Sequence, residues 1–127
     1  MNNYIYVFIG GGLGSLARYG IFRLTVHLMQ WQWPLASILS NSTSSFLVGL
    51  LLGITIDKSP LGMSTRLFLI TGFCGGFSTF SAFSFETFEF IRNGQAGNAV
   101  LHIGVNVISC LLLIWAGLTL ARQFLNL

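Results

Sequence analysis

Four apolar runs, each about 20 residues or longer, make up most of this chain, and a helix needs about that length to cross a bilayer's hydrocarbon core. They fall at 4–28, 34–56, 66–91 and 97–121. Short polar stretches separate them. "QWQWP" puts Trp31 and Trp33 at an interface, with Pro34 suited to the first turn of the next helix. "DKSPLG" (Asp57 to Gly62) and "RNGQAGN" (Arg92 to Asn98) are polar turns, and "ARQFLNL" follows the last run. The runs are continuous, whereas the strands of a membrane β-barrel would alternate. Charged residues are 7% of the chain, against about a quarter in soluble domains. The expected fold is therefore an all-α integral membrane protein, one domain over 1–127 with four transmembrane helices. The first run lacks the basic flank and small-residue cleavage site of a signal peptide, so it is read as a span.

The loop charges leave orientation open. The N-terminus, second loop and C-terminus together hold Lys58, Arg66 and Arg122, while the first and third loops hold Arg18, Arg23 and Arg92. The count is three against three, so the positive-inside rule favours neither topology. A chain without bias can insert both ways, and two oppositely inserted copies can pair as an antiparallel dimer. The alternative is one orientation set by something other than loop charge. Small residues that permit close helix approach recur in the first span (Gly10, Gly11, Gly12, Gly14) and the second (Ser44, Ser45, Gly49, Gly53). They serve packing within one chain or between two.

Several chemistries are excluded. Gly12, Gly14 and Ala17 match the start of a dinucleotide fingerprint, G-x-G-x-x-A, but no acidic residue follows about 20 positions on and the surroundings are apolar. The six Lys and Arg are scattered, which leaves no nucleic-acid patch. Cys74 and Cys110 each lie in the middle of an apolar run and read as small buried thiols. No nucleophile–base pair or metal-ligand cluster stands out, so an enzyme is not expected. Glu86 and Glu89 fall near the end of the third span, and His27 and His102 near span ends, which reads as interfacial.

Two features point to a polar path. In "SILSNSTSSF", Ser37, Asn41, Ser44 and Ser45 recur at i, i+4, i+7 and i+8, one helical face. A serine can bond to its own backbone, but an asparagine amide has two donors and an acceptor to satisfy. Asn41 therefore clamps a neighbouring helix or lines a wet path; Asn106, Ser109 and Cys110 offer a sparser counterpart in the fourth span. The second feature is "TGFCGGFSTFSAFSFE", Thr71 to Glu86. Gly72, Gly75 and Gly76 predict a helix break near Gly75–Thr79, and non-helical backbone at membrane depth must be buried in protein or face a polar cavity. Freed carbonyls can bind a small cation such as Na⁺. Phe80 and Phe83, three apart, share a face beyond the break, and phenyl edges carry a weak positive charge that an anion can use. Phenylalanines at this spacing are also ordinary core or lipid-facing residues. Arg18, at or near the end of a span, either snorkels to headgroups or attracts an anion.

Taken together, "GGGLGSLARY", "PLAS…N…SF.VG", "GFCGGFSTFSAFSFE" and "VNVISC" resemble the Fluc (CrcB-type) family of fluoride channels over nearly the full length. The resemblance implies an antiparallel, dual-topology homodimer with two pores that pass F⁻ down its gradient across the cell inner membrane and so confer fluoride resistance. It implies that Phe80, Phe83, Asn41, Ser81 and Cys110 line the pore and that Arg18 stands at a vestibule. It further implies that the backbone carbonyls of Gly75 and Ser78, from both subunits, hold a central structural Na⁺. Some positions depart from the family pattern: Ala36 and Ser37 replace Gly-Thr, Ser44 replaces glycine, Ala82 replaces threonine and Cys110 replaces serine. The last two remove or weaken hydroxyls on the implied path. The competing class is a small four-helix, dual-topology drug or cation exporter, which needs a membrane-embedded glutamate in its first helix; residues 4–28 contain no acid.

Overall fold

The computed structural model describes residues 2–29, 34–57 and 61–125, and every regular element among them is helical. Trp31, Trp33 and Lys58 lie outside the described residues. Helices α1 (Asn3–Met29) and α2 (Leu35–Asp57) form the first two spans. The third is composite: α3 (Met63–Arg66) runs into a π-helical stretch (Leu67–Cys74) and α4 (Gly75–Phe77), and after an interruption α5 (Phe80–Arg92) resumes. The fourth is α6 (Ala96–Leu125). Four segments are long and apolar enough to cross a membrane, with mean hydropathies of 1.3, 1.5, 1.4 and 2.1 in chain order. This is a multi-pass membrane protein.

Between α5 and α6 the chain reverses in a tight turn. Gly94 takes φ +74°, a left-handed conformation that costs glycine little, and Gln95 N–H donates to Phe90 O at 2.8 Å. That turn lays α6 back along α5.

Backbone contact organises the packing. Helix α2 packs mainly on α6, and α1 on the π-helical stretch and α4. Apolar side chains gain little by leaving lipid for one another, so helices in a bilayer associate through close fit. Here glycines provide it. A Cβ on Gly72 would lie 3.0 Å from Gly10 Cα, and one on Gly117 would overlap Phe46 O and reach 2.9 Å from Leu50 N.

This changes the expected cause of the broken span. Gly75 is helical (φ −64°, ψ −36°), and the chain leaves the helix only at Ser78 (φ −85°, ψ 155°) and Thr79 (φ −150°, ψ 118°). Gly72 and Gly76 are spent on close approach to α1, where a Cβ would meet the Gly10–Gly11 backbone. The break comes two residues after Gly76, where a neighbouring helix offers the backbone other partners.

Gly117→Val should wedge α6 away from α2 and cost about 1–3 kcal/mol, the usual range for overpacking. A lowered melting temperature in detergent would report it. Gly97→Ala, at a position where a Cβ meets nothing within 4 Å, should leave the melting temperature unchanged.

Candidate functional site

The interruption at Ser78–Thr79 strands backbone groups at membrane depth, and side chains from α1, α2 and the break itself bond the backbone there. Thr79 N–H donates to Asn41 Oδ1 at 2.7 Å, and Asn41 Nδ2 donates back to Thr79 O at 3.3 Å. One amide thus satisfies both backbone polar groups of Thr79, which belong to the two successive peptide units on either side of its Cα. Cys74 O accepts from Ser44 Oγ (2.8 Å) and Ser78 Oγ (2.9 Å), and Gly76 O accepts from Arg18 Nε at 3.2 Å. Thr79 then caps the resumed helix, its Oγ1 accepting from Ala82 N–H at 3.2 Å.

Restarting the helix at Phe80 sets the two rings. Phe80 and Phe83 lie with centroids 5.5 Å apart and planes tilted by 41°, one turn apart on α5. They border a cleft of about 320 Å³ between α2, α5 and α6, together with Asn41, Ser45, Asn106 and Cys110. Phe80 is 80% exposed on the single chain, so the cleft is open on that side. Asn41 both clamps and lines: its Nδ2 also donates to Asn106 Oδ1 at 3.2 Å. Asn106 is buried, and its Nδ2 has no hydrogen-bond partner among the described residues. Cys110 Sγ sits 3.9 Å from Asn106 Oδ1, too weak a donor to replace a hydroxyl.

A second cavity of about 310 Å³ lies across the break, between α1, α2 and α5, bordered by Arg18, Ser37, Ser40, Thr79, Ala82 and Glu86. Thr79 borders both spaces. Ser81, one of the expected lining residues, is exposed and touches Thr79 Oγ1 at 3.2 Å. Ala82, where a hydroxyl would be usual, presents only a methyl to this second cavity.

The structure corrects one expectation and adds a residue. His102, read as interfacial, is fully buried in the second turn of α6, stacked on Phe83 (5.4 Å, 29°) and edge-on to Phe90 (5.9 Å, 61°). Sequence position near a span end misled, because α6 turns this residue toward α5. Glu86 receives a hydrogen bond from Ser37 and approaches His102 Nε2 at 3.3 Å. Its signal was present: a carboxylate one turn beyond Phe83 on the same face, within an apolar span. Among the described residues no group of three or more His, Cys, Asp or Glu side chains could hold a metal ion. Backbone oxygens are among the ligands that remain open to a cation. Thr79 N–H, which in an unbroken helix would bond to Gly75 O, is diverted to Asn41, and the carbonyls of Gly75 and Ser78 lie at the break.

Four lipid-length helices, an interrupted third span and a few neutral donors in a largely apolar cleft at membrane depth define a membrane protein of the channel or transporter class. Comparison with known proteins identifies which one: residues 5–118 match the model of the CrcB-like protein family (Camphor Resistance, CrcB), and the chain belongs to that family. It is 44% identical over 117 residues to the fluoride-specific ion channel FluC of Pyrococcus furiosus, covering 92% of this chain and 94% of the relative. The FluC proteins of Hydrogenovibrio crunogenus (38% over 122 residues; 96% and 92% covered) and Pyrococcus abyssi (41% over 119 residues; 94% and 95% covered) are similar to it in the same way.

Asn41→Ala should leave the buried Thr79 N–H without its acceptor, a loss worth about 1–3 kcal/mol. The melting temperature in detergent should fall accordingly, and an unchanged value would show that Asn41 does not hold the break.

Proposed function

We propose that this chain is a passive fluoride-selective channel that lets F⁻ leave the cell down its gradient, protecting it from fluoride. The observation that carries the reading is the Phe80–Phe83 pair beside Asn41 and Asn106 in one cleft at membrane depth. Phenyl edges are weakly positive and amide N–H groups are neutral donors, so together they solvate an anion without holding it as a fixed cation would. The buried Asn106 Nδ2 adds to this: an N–H with no partner among the described residues gains a hydrogen bond when a small anion arrives. The named activity of the relatives in the family points the same way. The exporter reading lacks its central requirement, since α1 contains no acidic residue.

The working unit in this reading is an antiparallel, dual-topology homodimer with two pores, located in the cytoplasmic (inner) membrane. Two facts support it: the even loop charges, and a cleft that a single chain leaves open beside Phe80. Arg18 stands at the vestibule, where its charge draws anions toward the path. Cys110 borders the cleft as a poorer donor than serine, and Ser81, exposed beside Thr79, joins the lining only in the dimer of this reading. A structural Na⁺ on the dimer axis, held by the carbonyls of Gly75 and Ser78 from both subunits, fits the donor chemistry, since hard cations prefer oxygen ligands. When bound it supplies positive charge near the dimer centre.

Liposomes loaded with fluoride and given a charge-compensating ionophore should release it without any proton gradient, with little chloride moving under the same conditions. Chloride efflux at a comparable rate, or no fluoride efflux, would defeat the proposal. If the ring edge contributes about as much as in aromatic pairs, about 0.5–1.5 kcal/mol, Phe80→Ile should slow fluoride efflux by about twofold to about tenfold while the dimer still elutes intact.

A further inference from the structure

Beyond the lining residues, three side chains from three helices form a line that the fluoride path does not by itself require. Ser37 on α2 donates to the Glu86 carboxylate on α5, and Glu86 Oε2 lies 3.3 Å from His102 Nε2 on α6. The line joins the two spaces of the site. Glu86 borders the cavity that contains Arg18, whereas His102 stacks on the face of Phe83, which also borders the cleft.

We propose that Glu86 and His102 act as one proton-binding pair whose charge sets how readily fluoride passes the Phe80–Phe83 track. This rests on the channel reading above and deepens it. With no proton bound, the pair carries one negative charge beside an anion path, and that charge repels F⁻. With one proton taken up, the pair is neutral overall. The proton has a route: Glu86 keeps 24% of its side chain exposed and borders the Arg18 cavity, whereas His102 has no exposure at all. It moves from water in the cavity to the carboxylate and across 3.3 Å to Nε2, and no other reactant is needed. A protonated imidazole on the face of Phe83 has a second effect. It attracts the ring's π electrons, which leaves the ring edge more positive and a better contact for an anion. Both effects act in the same direction. Acid favours conduction.

The surrounding charges do not mask the pair. From α1, Arg18 borders the same cavity as Glu86, with the phenol of Tyr19 beside it. From α2 come only the hydroxyls of Ser37 and Ser40. On α5, Glu89 is engaged by Arg92 at 2.9 Å, and on α6 the other titratable group near the cleft is the Cys110 thiol, two turns further on. A guanidinium does not titrate in this range, so the variable charge is that of Glu86 and His102.

Voltage-driven fluoride current in planar bilayers tests the proposal, because neutral HF crossing the lipid carries no current. The full-length dimer should show a current that rises at least about threefold between about pH 8 and about pH 5.5, the range in which imidazole ordinarily titrates. His102→Gln, which keeps a hydrogen-bonding group but cannot take up the proton, should conduct with a flat profile, and Glu86→Gln should flatten it as well. A wild-type current that is flat or falls in acid overturns the proposal, as does a slope that persists in His102→Gln. Should neither variant conduct, histidine-labelled NMR of the wild-type protein decides, with His27→Gln used to assign the signal. A His102 resonance titrating with the midpoint of the current supports the pair, and one that does not titrate overturns it. Absence of fluoride current at every pH would instead defeat the channel reading, so the two failures are distinguishable.

Discussion

The two-way hydrogen bonding between Asn41 and the backbone N–H and C=O of Thr79 is the contact on which the rest of this structure depends. A bilayer core offers no water to a stranded N–H or C=O, so a break in a membrane helix persists only if protein groups replace both partners. The Asn41 amide does so with one side chain, accepting at 2.7 Å and donating at 3.3 Å. The same amide then reaches Asn106, which ties α2, the break and α6 into one unit around the cleft.

From that clamp the shape of the cleft follows. Interrupting the helix at Ser78–Thr79 lets α5 restart with its own cap, and the restart places Phe80 and Phe83 on one face beside the amides. The cleft is lined by neutral groups. The formal charges lie beside it, with Arg18 bonded to Gly76 O and Glu86 between Ser37 and His102. An arrangement of this kind lowers the cost of dehydrating a small anion at many weak contacts without creating one strong trap.

Much of this was legible in the chain. Four spans followed from run length, and their bounds agree with α1, α2, the composite third span and α6 to within a few residues. The single helical face of Ser37, Asn41, Ser44 and Ser45 divided as a face on one helix can: Ser37 and Ser44 bond to the third span, Ser45 borders the cleft, and Asn41 does both. The glycines were read correctly as special and assigned the wrong task. Gly72 and Gly76 lie within helix and admit the α1 backbone, because a missing Cβ weakens a helix and also opens space, and only the neighbouring helix determines which property is used. His102 was hidden for a similar reason. Depth along a helix can be counted from sequence, but the direction in which α6 faces cannot.

What the sequence alone determined is the class: hydrophobic length and charge deficit commit the chain to a bilayer, and the glycine, asparagine and phenylalanine motifs mark the third span as irregular. Those are properties of single segments, and solvent chemistry acts on segments directly. The tertiary structure decided where the helix breaks, which carbonyls it frees, and that Glu86 meets His102 behind Phe83. Each of these depends on which residues of separate helices come within hydrogen-bonding distance, and in lipid that is set by backbone fit, which no single segment encodes.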